Sequence, residues 1–282
     1  MPPAVAPYPS IVDFLFQLFP AISRAQWVAR IAAGKVLDDQ GHAITAETHY
    51  SPSKRLFYFR EVESEPVIPF TEEILFQDDE ILVACKPHFL PVTPGGRYVQ
   101  ECLLNRLRER AGIDDMAPLH RLDRVTAGLV IFSVNPRTRA HYHELFTHRK
   151  IEKTYHALAA MQQPPSENRW TVENRIVHGA PGFRMKTVPG VANSCSHIEL
   201  MEVKDNRGLF HLQAVTGKTH QLRLHMCELG FPILHDRVYP ELQAEQADDF
   251  ERPLQLLAKK IQFRDPVTGE DRVFQSARTL SW

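Results

Sequence analysis

Asp123 is the residue whose neighbours best equip it for chemistry. It lies in His120-Arg121-Leu122-Asp123-Arg124, at the head of HRLDRVTAGLVIFS, just before an apolar β-type run. Fixed positive charge beside a carboxyl group favours its ionised form. An ionised carboxylate partly shielded from water can act as a nucleophile. The same residue types also build structural ion pairs at strand entrances, so these neighbours alone leave both roles open. Two later stretches add polar groups. Lys153-Thr154-Tyr155-His156-Ala157 alternates like a strand, which puts Lys153, Tyr155 and Ala157 on one face. Thr216-Gly217-Lys218-Thr219-His220-Gln221-Leu222-Arg223-Leu224-His225 reads as a turn entering a helix, with Arg223 one turn in.

Several competing motifs fail on spacing. Gly217-Lys218-Thr219 resembles the end of a phosphate-binding loop, but Leu212 holds the place of the required earlier glycine. HRLD is not a kinase catalytic loop, because the downstream Asn and a preceding glycine-rich loop are missing. Fourteen histidines invite a metal reading, yet there is no HExxH and no Cys/His tetrad, so no metal is expected.

The elements that must position these residues follow from pattern. The 282 residues suffice for a main domain and a small appendage, and 43% hydrophobic residues suffice for a sizeable core. No apolar window is long enough to span a membrane, and the N-terminus lacks a basic region ahead of an apolar core. Cys85, Cys102, Cys195 and Cys227 form no CxxC pair, which suggests reduced thiols and a cytoplasmic setting. Net charge is −1, but Arg137, Arg139, Arg149, Lys150 and Lys153 cluster in one span, allowing a basic face toward phosphates.

Helical spacing predicts two short helices within 11–34, broken at Pro20, with Ser23 capping the second and Gly34 stopping it. The polar, proline-bearing stretch 61–69 reads as a linker, dividing the chain into 1–65 and 66–282. Beyond it, strands are expected at 81–85, 128–134, 153–160, 170–177, 197–203, 209–215, 256–263 and 272–274. Helices are expected at 99–111, 136–147 and 220–229. Many strands with scattered helices indicate a mixed α+β domain.

HRLDRVTAGL, KTYHA, TGKTHQLRLH and GFPILHDRVY, in this order, resemble the RluA-type RNA pseudouridine synthases. Lys86-Pro87, Leu90 and Pro94-Gly95 resemble that family's upstream KPxGL loop, so the likeness runs from about residue 75 to 275. It implies a bent, mainly antiparallel sheet flanked by helices. It also implies isomerisation of uridine in rRNA or tRNA, in which N1–C1′ breaks and C5 joins C1′. Such a reaction needs no cofactor.

By this resemblance Asp123 is the essential carboxylate, acting at C1′, by elimination to a glycal, or at C6. Arg223 pairs with it as a bidentate holder, and Tyr155 stacks on the uracil and assists proton transfer through its hydroxyl. Arg121 fills the gap left by the flipped nucleotide or holds its phosphate. His120, Arg124, Lys153, Lys218, His220 and Gln221 are the other expected RNA contacts. The chain is expected to act as a monomer. FPAISRAQWVARIAAGKVLDD, in the appendage, resembles the small RNA-binding domain named after ribosomal protein S4, with Arg24 and Arg30 toward RNA.

The chain departs from the family pattern at three places. Ala127 replaces a usual serine, and Phe89 and His235 replace usual glycines. These motivate one alternative, a non-catalytic RNA-binding or ribosome-assembly protein. The other is a glycoside or nucleoside hydrolase, which needs a second carboxylate about 5–9 Å away; Asp236 is the candidate.

Overall fold

The structure, a computed structural model, describes every residue except 2–7, 21, 60, 61, 63, 162 and 164. Residues 61 and 63 of the expected linker therefore lie outside the described residues. The chain divides into two compact units, Met1–Glu63 and Ser64–Trp282.

In the first unit, α1 (Ile11–Leu18) and α2 (Arg24–Ala32) precede β1 (Val36–Leu37) and β2 (Phe57–Tyr58), which pair antiparallel. Ser23 and Gln26 form a reciprocal capping box at the start of α2, satisfying donors that a helix end leaves open. Gly34 follows α2 at φ +69°, a left-handed turn that glycine enters without a Cβ penalty. Trp27, Ile31, Phe14 and Val36 form this unit's core.

The second unit runs β3 (Glu73–Gln77), β4 (Ile81–Lys86), α3 (Leu103–Ala111), β5 (Ala117–Pro118), β6 (Ala127–Ser133), α4 (Arg139–Thr147), β7 (Ile151–Ala160), β8 (Arg169–His178), β9 (Met185–Val188), β10 (Ser194–Lys204), β11 (Arg207–Ala214), α5 (Gln221–Glu228), β12 (Leu256–Arg264) and β13 (Asp271–Gln275). One sheet holds all eleven strands, in the order β3-β4-β6-β12-β7-β11-β10-β8-β9, with β13 beside β12 and β5 beside β6. Every pairing is antiparallel except β6–β12. No described helix is long and apolar enough to cross a membrane.

The wholly buried runs of β4 and β6 are apolar except at their last residues, Lys86 and Ser133, because helices cover both faces. Leu103 and Leu107 of α3 pack on Leu82, Ala84, Val130 and Phe132. Tyr142 and Leu145 of α4 pack on the alternate residues Ile81, Val83, Leu129 and Ile131. Leu222 and Met226 of α5 cover Ala157, Ala159, Phe210 and Leu212.

At the parallel junction, Gly128 lies against β12 so closely that a Cβ would sit 2.2 Å from the Ala258 carbonyl oxygen, and its φ is +115°. This is the crossing where the Asp123 turn enters the sheet. Asp205 and Asn206, at φ +48° and +60°, close the β10–β11 hairpin in the left-handed pair that twisted strands favour.

Two helices start later than their spacing predicts. The first begins at Leu103, not 99, because the Glu65 carboxylate accepts the backbone N–H groups of Val99, Gln100 and Glu101 and holds that stretch as a loop. The second begins at Arg139, not 136. There the Asn135 side chain accepts from the Arg137 N–H and keeps the first residues in a turn.

Candidate active site

The expected chemical residues meet in one open cleft of about 790 Å³. Three segments bring the expected residues to it, and the end of α4 with the turn after it adds Phe146 and Arg149. The loop before β6 brings His120, Arg121 and Asp123; β7 brings Lys153 and Tyr155; the turn into α5 brings Lys218, His220 and Arg223. Among the described residues, Asp123 is the one carboxylate lining the cleft, against the cations Arg121, Arg149, Lys153, Lys218 and Arg223. A chain of nearly neutral net charge thus concentrates positive potential where an anionic ligand would enter.

Asp123 opens a tight turn whose carbonyl accepts from the Thr126 N–H at 3.1 Å. Leu122 beside it is buried in the core, so the turn is anchored by packing. Its carboxylate is part-exposed: Oδ2 accepts from Arg223 Nη1 at 3.2 Å and lies 3.7 Å from His220 Nε2. Oδ1 carries no hydrogen bond to any described residue.

Arg223 does hold Asp123, but not with its fork. Nε and Nη2 donate to the two oxygens of Asp236, both at 2.7 Å, and Nη1 alone donates to Asp123. Asp236 is itself fixed by the backbone N–H groups of Val238 and Tyr239. The expected bidentate grip on Asp123 is therefore replaced by a shared guanidinium. Burial alone would depress the Arg223 pKa, but Asp236 foremost, then Asp123, raise it. Asp236, the hydrolase candidate, is buried and spent on this clamp and on two amides, so it has no free face for a water nucleophile.

Tyr155 faces the cleft from β7. Burial, and secondarily the charge of Asp123, raise its pKa, so the hydroxyl stays protonated. Burial depresses Lys153. His120 is pushed down to about 3 by burial and then by Lys153. It is neutral, accepts from the Ile131 N–H through Nε2 at 3.1 Å, and stacks on Phe146.

Two expected RNA contacts are committed to the protein instead. Arg124 is absent from the cleft lining; its fork grips Asp248 at 2.7 and 2.8 Å, and it lies over Phe89 and Tyr98. Gln221 is buried, and its amide is saturated by Thr216, the Lys218 N–H, the Cys195 carbonyl and Ser196. It struts the turn that presents His220.

Sequence reasoning also missed Tyr239, whose only signal was its place in the GFPILHDRVY block. Its hydroxyl contacts His220 Nδ1 and both main-chain groups of Met185.

Upstream, the buried Lys86 donates to the carbonyls of Pro87, Leu90 and Arg124. His88 Nδ1 lies 2.7 Å from the Val125 carbonyl. Both tie the Lys86–Leu90 loop to the Asp123 turn. Phe89 and His235, where glycine is usual, keep the left-handed backbone at φ +66° and +62°. Each strained residue costs about 1–2 kcal/mol. Phe89 offsets this by packing on Phe70 and Phe250, and His235 by a bond to the Pro253 carbonyl.

A mixed sheet that carries one carboxylate in a cation-lined cleft offers a site for an anionic ligand. Residues 80–228 match the family model described as RNA pseudouridylate synthase, and the chain belongs to that family. The dual-specificity RNA pseudouridine synthase RluA of Haemophilus influenzae is 30% identical over 224 residues, spanning 76% of this chain and 97% of that protein. The ribosomal large subunit pseudouridine synthase D of the same organism is 30% identical over 281 residues, covering 91% and 83%. RNA pseudouridine synthase 7 of Oryza sativa subsp. japonica is 26% identical over 82% of this chain, and the match spans only 60% of its length. The fold matches human RNA pseudouridylate synthase domain containing 4 at TM-score 0.57, with 23% identity, over 74% of this chain and 88% of that one. By family, then, this is an RNA pseudouridine synthase, which isomerises uridine in RNA.

Proposed function

We propose that Asp123 is the carboxylate on which the isomerisation turns, and that the substrate uridine lies in structured rRNA or tRNA and flips into the cleft. The observation that carries this reading is the lone Asp123 carboxylate, oriented through Oδ2 and open at Oδ1, among five cleft cations. A uridine stacked in RNA hides C1′, so it must leave the stack at a cost of a few kcal/mol. Stacking on an aromatic such as Tyr155 returns about 1–3 kcal/mol. Phosphates flanking the flipped base meet Arg121, Arg149 and Lys218 at the rim.

The reaction transfers neither electrons nor a group to a second molecule, so it calls for no cofactor. The likeness to the ribosomal large subunit pseudouridine synthase D supports rRNA among the substrates. The reading further places the protein in the cytoplasm as a monomer, with Met1–Glu63 as an S4-like RNA-binding accessory.

The deciding experiment replaces Asp123 with Asn and measures pseudouridine in unmodified rRNA and tRNA transcripts. Product falls to background while fold and RNA affinity persist. Undiminished isomerisation by the variant refutes the assignment. Pseudouridine maps of total RNA with and without the gene then identify the target.

A further inference from the structure

The product requires a proton acceptor, and the Tyr155 hydroxyl, which the resemblance gives a part in proton transfer, is held in its protonated form by burial and by Asp123. Uridine carries hydrogen on C5, and the product carries C1′ there. When C5 joins C1′, that carbon holds both substituents until the hydrogen leaves. The C5–H bond breaks, its electron pair restores the C5=C6 double bond, and N1, freed from the sugar, takes up a proton. The nucleoside ends as an isomer, and only a base is needed.

We propose that His220, through Nε2, is the base that removes the C5 proton. This rests on Asp123 being the carboxylate that addresses the nucleoside. Three observations carry it. First, Nε2 lies 3.7 Å from Asp123 Oδ2, facing the same space. Whether Asp123 acts at C1′, at C2′ in an elimination, or at C6, C5 arrives within one or two bonds of the atom it addresses.

Second, hydrogen bonds fix the tautomer. The buried Tyr239 hydroxyl lies 2.9 Å from the Met185 N–H, 3.0 Å from the Met185 carbonyl and 3.0 Å from His220 Nδ1. The hydroxyl has one proton and two acceptor sites. If that proton goes to the Met185 carbonyl, the Met185 N–H and His220 Nδ1–H both donate to the phenol oxygen, and every group is satisfied. The reverse arrangement strands the Met185 carbonyl in a buried place, which folded proteins avoid. His220 therefore carries its proton on Nδ1 and presents the Nε2 lone pair to the cleft.

Third, the alternative bases are compromised. Tyr155 stays protonated, and Asp123 is engaged with the nucleoside. The groups facing His220 are Asp123 from the loop before β6, Arg223 on its own helix, and Asp236 and Tyr239 from the segment before β12. Burial lowers the His220 pKa; Asp123 opposes that, Arg223 adds to it, and Asp236 opposes it. The ring is neutral before the reaction. Once protonated, it faces the Asp123 carboxylate as an ion pair, from which N1 or solvent recovers the proton. The left-handed backbone of His220, at φ +55° just ahead of α5, is what aims the ring at Asp123 rather than along the helix.

The test is single-turnover isomerisation of rRNA and tRNA transcripts made with [5-²H]uridine or ordinary uridine. With the wild-type chain the two proceed at the same rate. His220→Gln slows product formation about 10²–10⁴-fold, and the deuterated RNA becomes slower still, because C5–H cleavage now limits the rate. Added imidazole partly restores His220→Ala. If His220→Gln shows no isotope effect while Tyr155→Phe does, the base is Tyr155 and the proposal falls. Should the His220 variants fail to fold, Tyr239→Phe decides. Releasing the tautomer must slow the reaction and expose the isotope effect, and wild-type kinetics overturn the proposal. Asp123→Asn in the same assay tests the underlying reading separately: activity there refutes Asp123 without touching the His220 isotope effect.

Discussion

Replacing Asp236 with Asn tests whether the buried clamp, rather than the cleft surface, sets the geometry of Asp123. In the native arrangement Arg223 donates three hydrogen bonds to two carboxylates, two at 2.7 Å to Asp236 and one at 3.2 Å to Asp123. Removing one partner of a buried ion pair costs about 3–5 kcal/mol when the other charge is left alone. Here Asp123 still neutralises Arg223 and Asn keeps one acceptor oxygen, so about 2 kcal/mol is the expected loss. For a domain of this size that is a Tm lower by about 4–8 °C.

The catalytic effect is larger than the stability effect suggests. The single bond to Asp123 is long, and its direction depends on the fork being locked on Asp236. Displacement of reacting groups by about 1 Å costs about 10²-fold, so kcat should drop about 10–100-fold. RNA affinity should change little, since Asp236 is 7% exposed and absent from the cleft lining. Single-turnover pseudouridine formation, RNA binding and thermal unfolding of the same preparation separate these terms. A variant that loses stability yet keeps native kcat refutes the claim that Asp236 positions Arg223. A variant unchanged in both refutes the coupled cluster altogether.

Gly128→Ala should destabilise by about 3–5 kcal/mol through overpacking against β12 and left-handed strain, and a thermal midpoint near wild type would refute the close approach. Arg121→Ala should weaken RNA binding and reduce the salt slope by about 1, whereas Arg124→Ala should lower Tm and leave the slope intact; equal slopes in both variants contradict the division between cleft and scaffold. Acid should destabilise the fold through His88, His120 and His225, which burial holds down to about 4, 3 and 4. These groups bind protons more readily unfolded, so their stability is intact above about pH 6.5 and is lost as pH falls toward 4, by up to about 1.4 kcal/mol per unit for each. A thermal midpoint flat from pH 7.5 to 4.5 excludes this.

What could be read from local pattern was what local chemistry governs. Ser23 announced its helix because a cap acts within three residues, and Gly34 announced the end for a similar reason. The alternating runs at 153–160 and 209–215 became β7 and β11 because sheet faces repeat every second residue. The late start of α3 was hidden, since Glu65 reaches it from another segment. The strands at 73–77 and 185–188 were missed: the first is polar at both ends, and the second is only four residues long.

The same division runs through the site. Residue types and motif order in the chain nominated Asp123, Tyr155 and Arg223 together, and the structure brings all three to one cleft. Only the tertiary structure could assign partners. Arg124 stands next to Asp123 in the chain, yet its charge is spent on Asp248, 124 residues away. Arg223, a hundred residues from Asp123, divides its donors between Asp123 and Asp236. Gln221, in the most recognisable motif, is a buried strut, and Tyr239 sets the direction of His220. Hydrogen-bond and ion-pair partners are chosen by distance and desolvation in three dimensions. The sheet crossing at Gly128 and the packing of α5 set those distances, and neither is encoded in the spacing of residues along the chain.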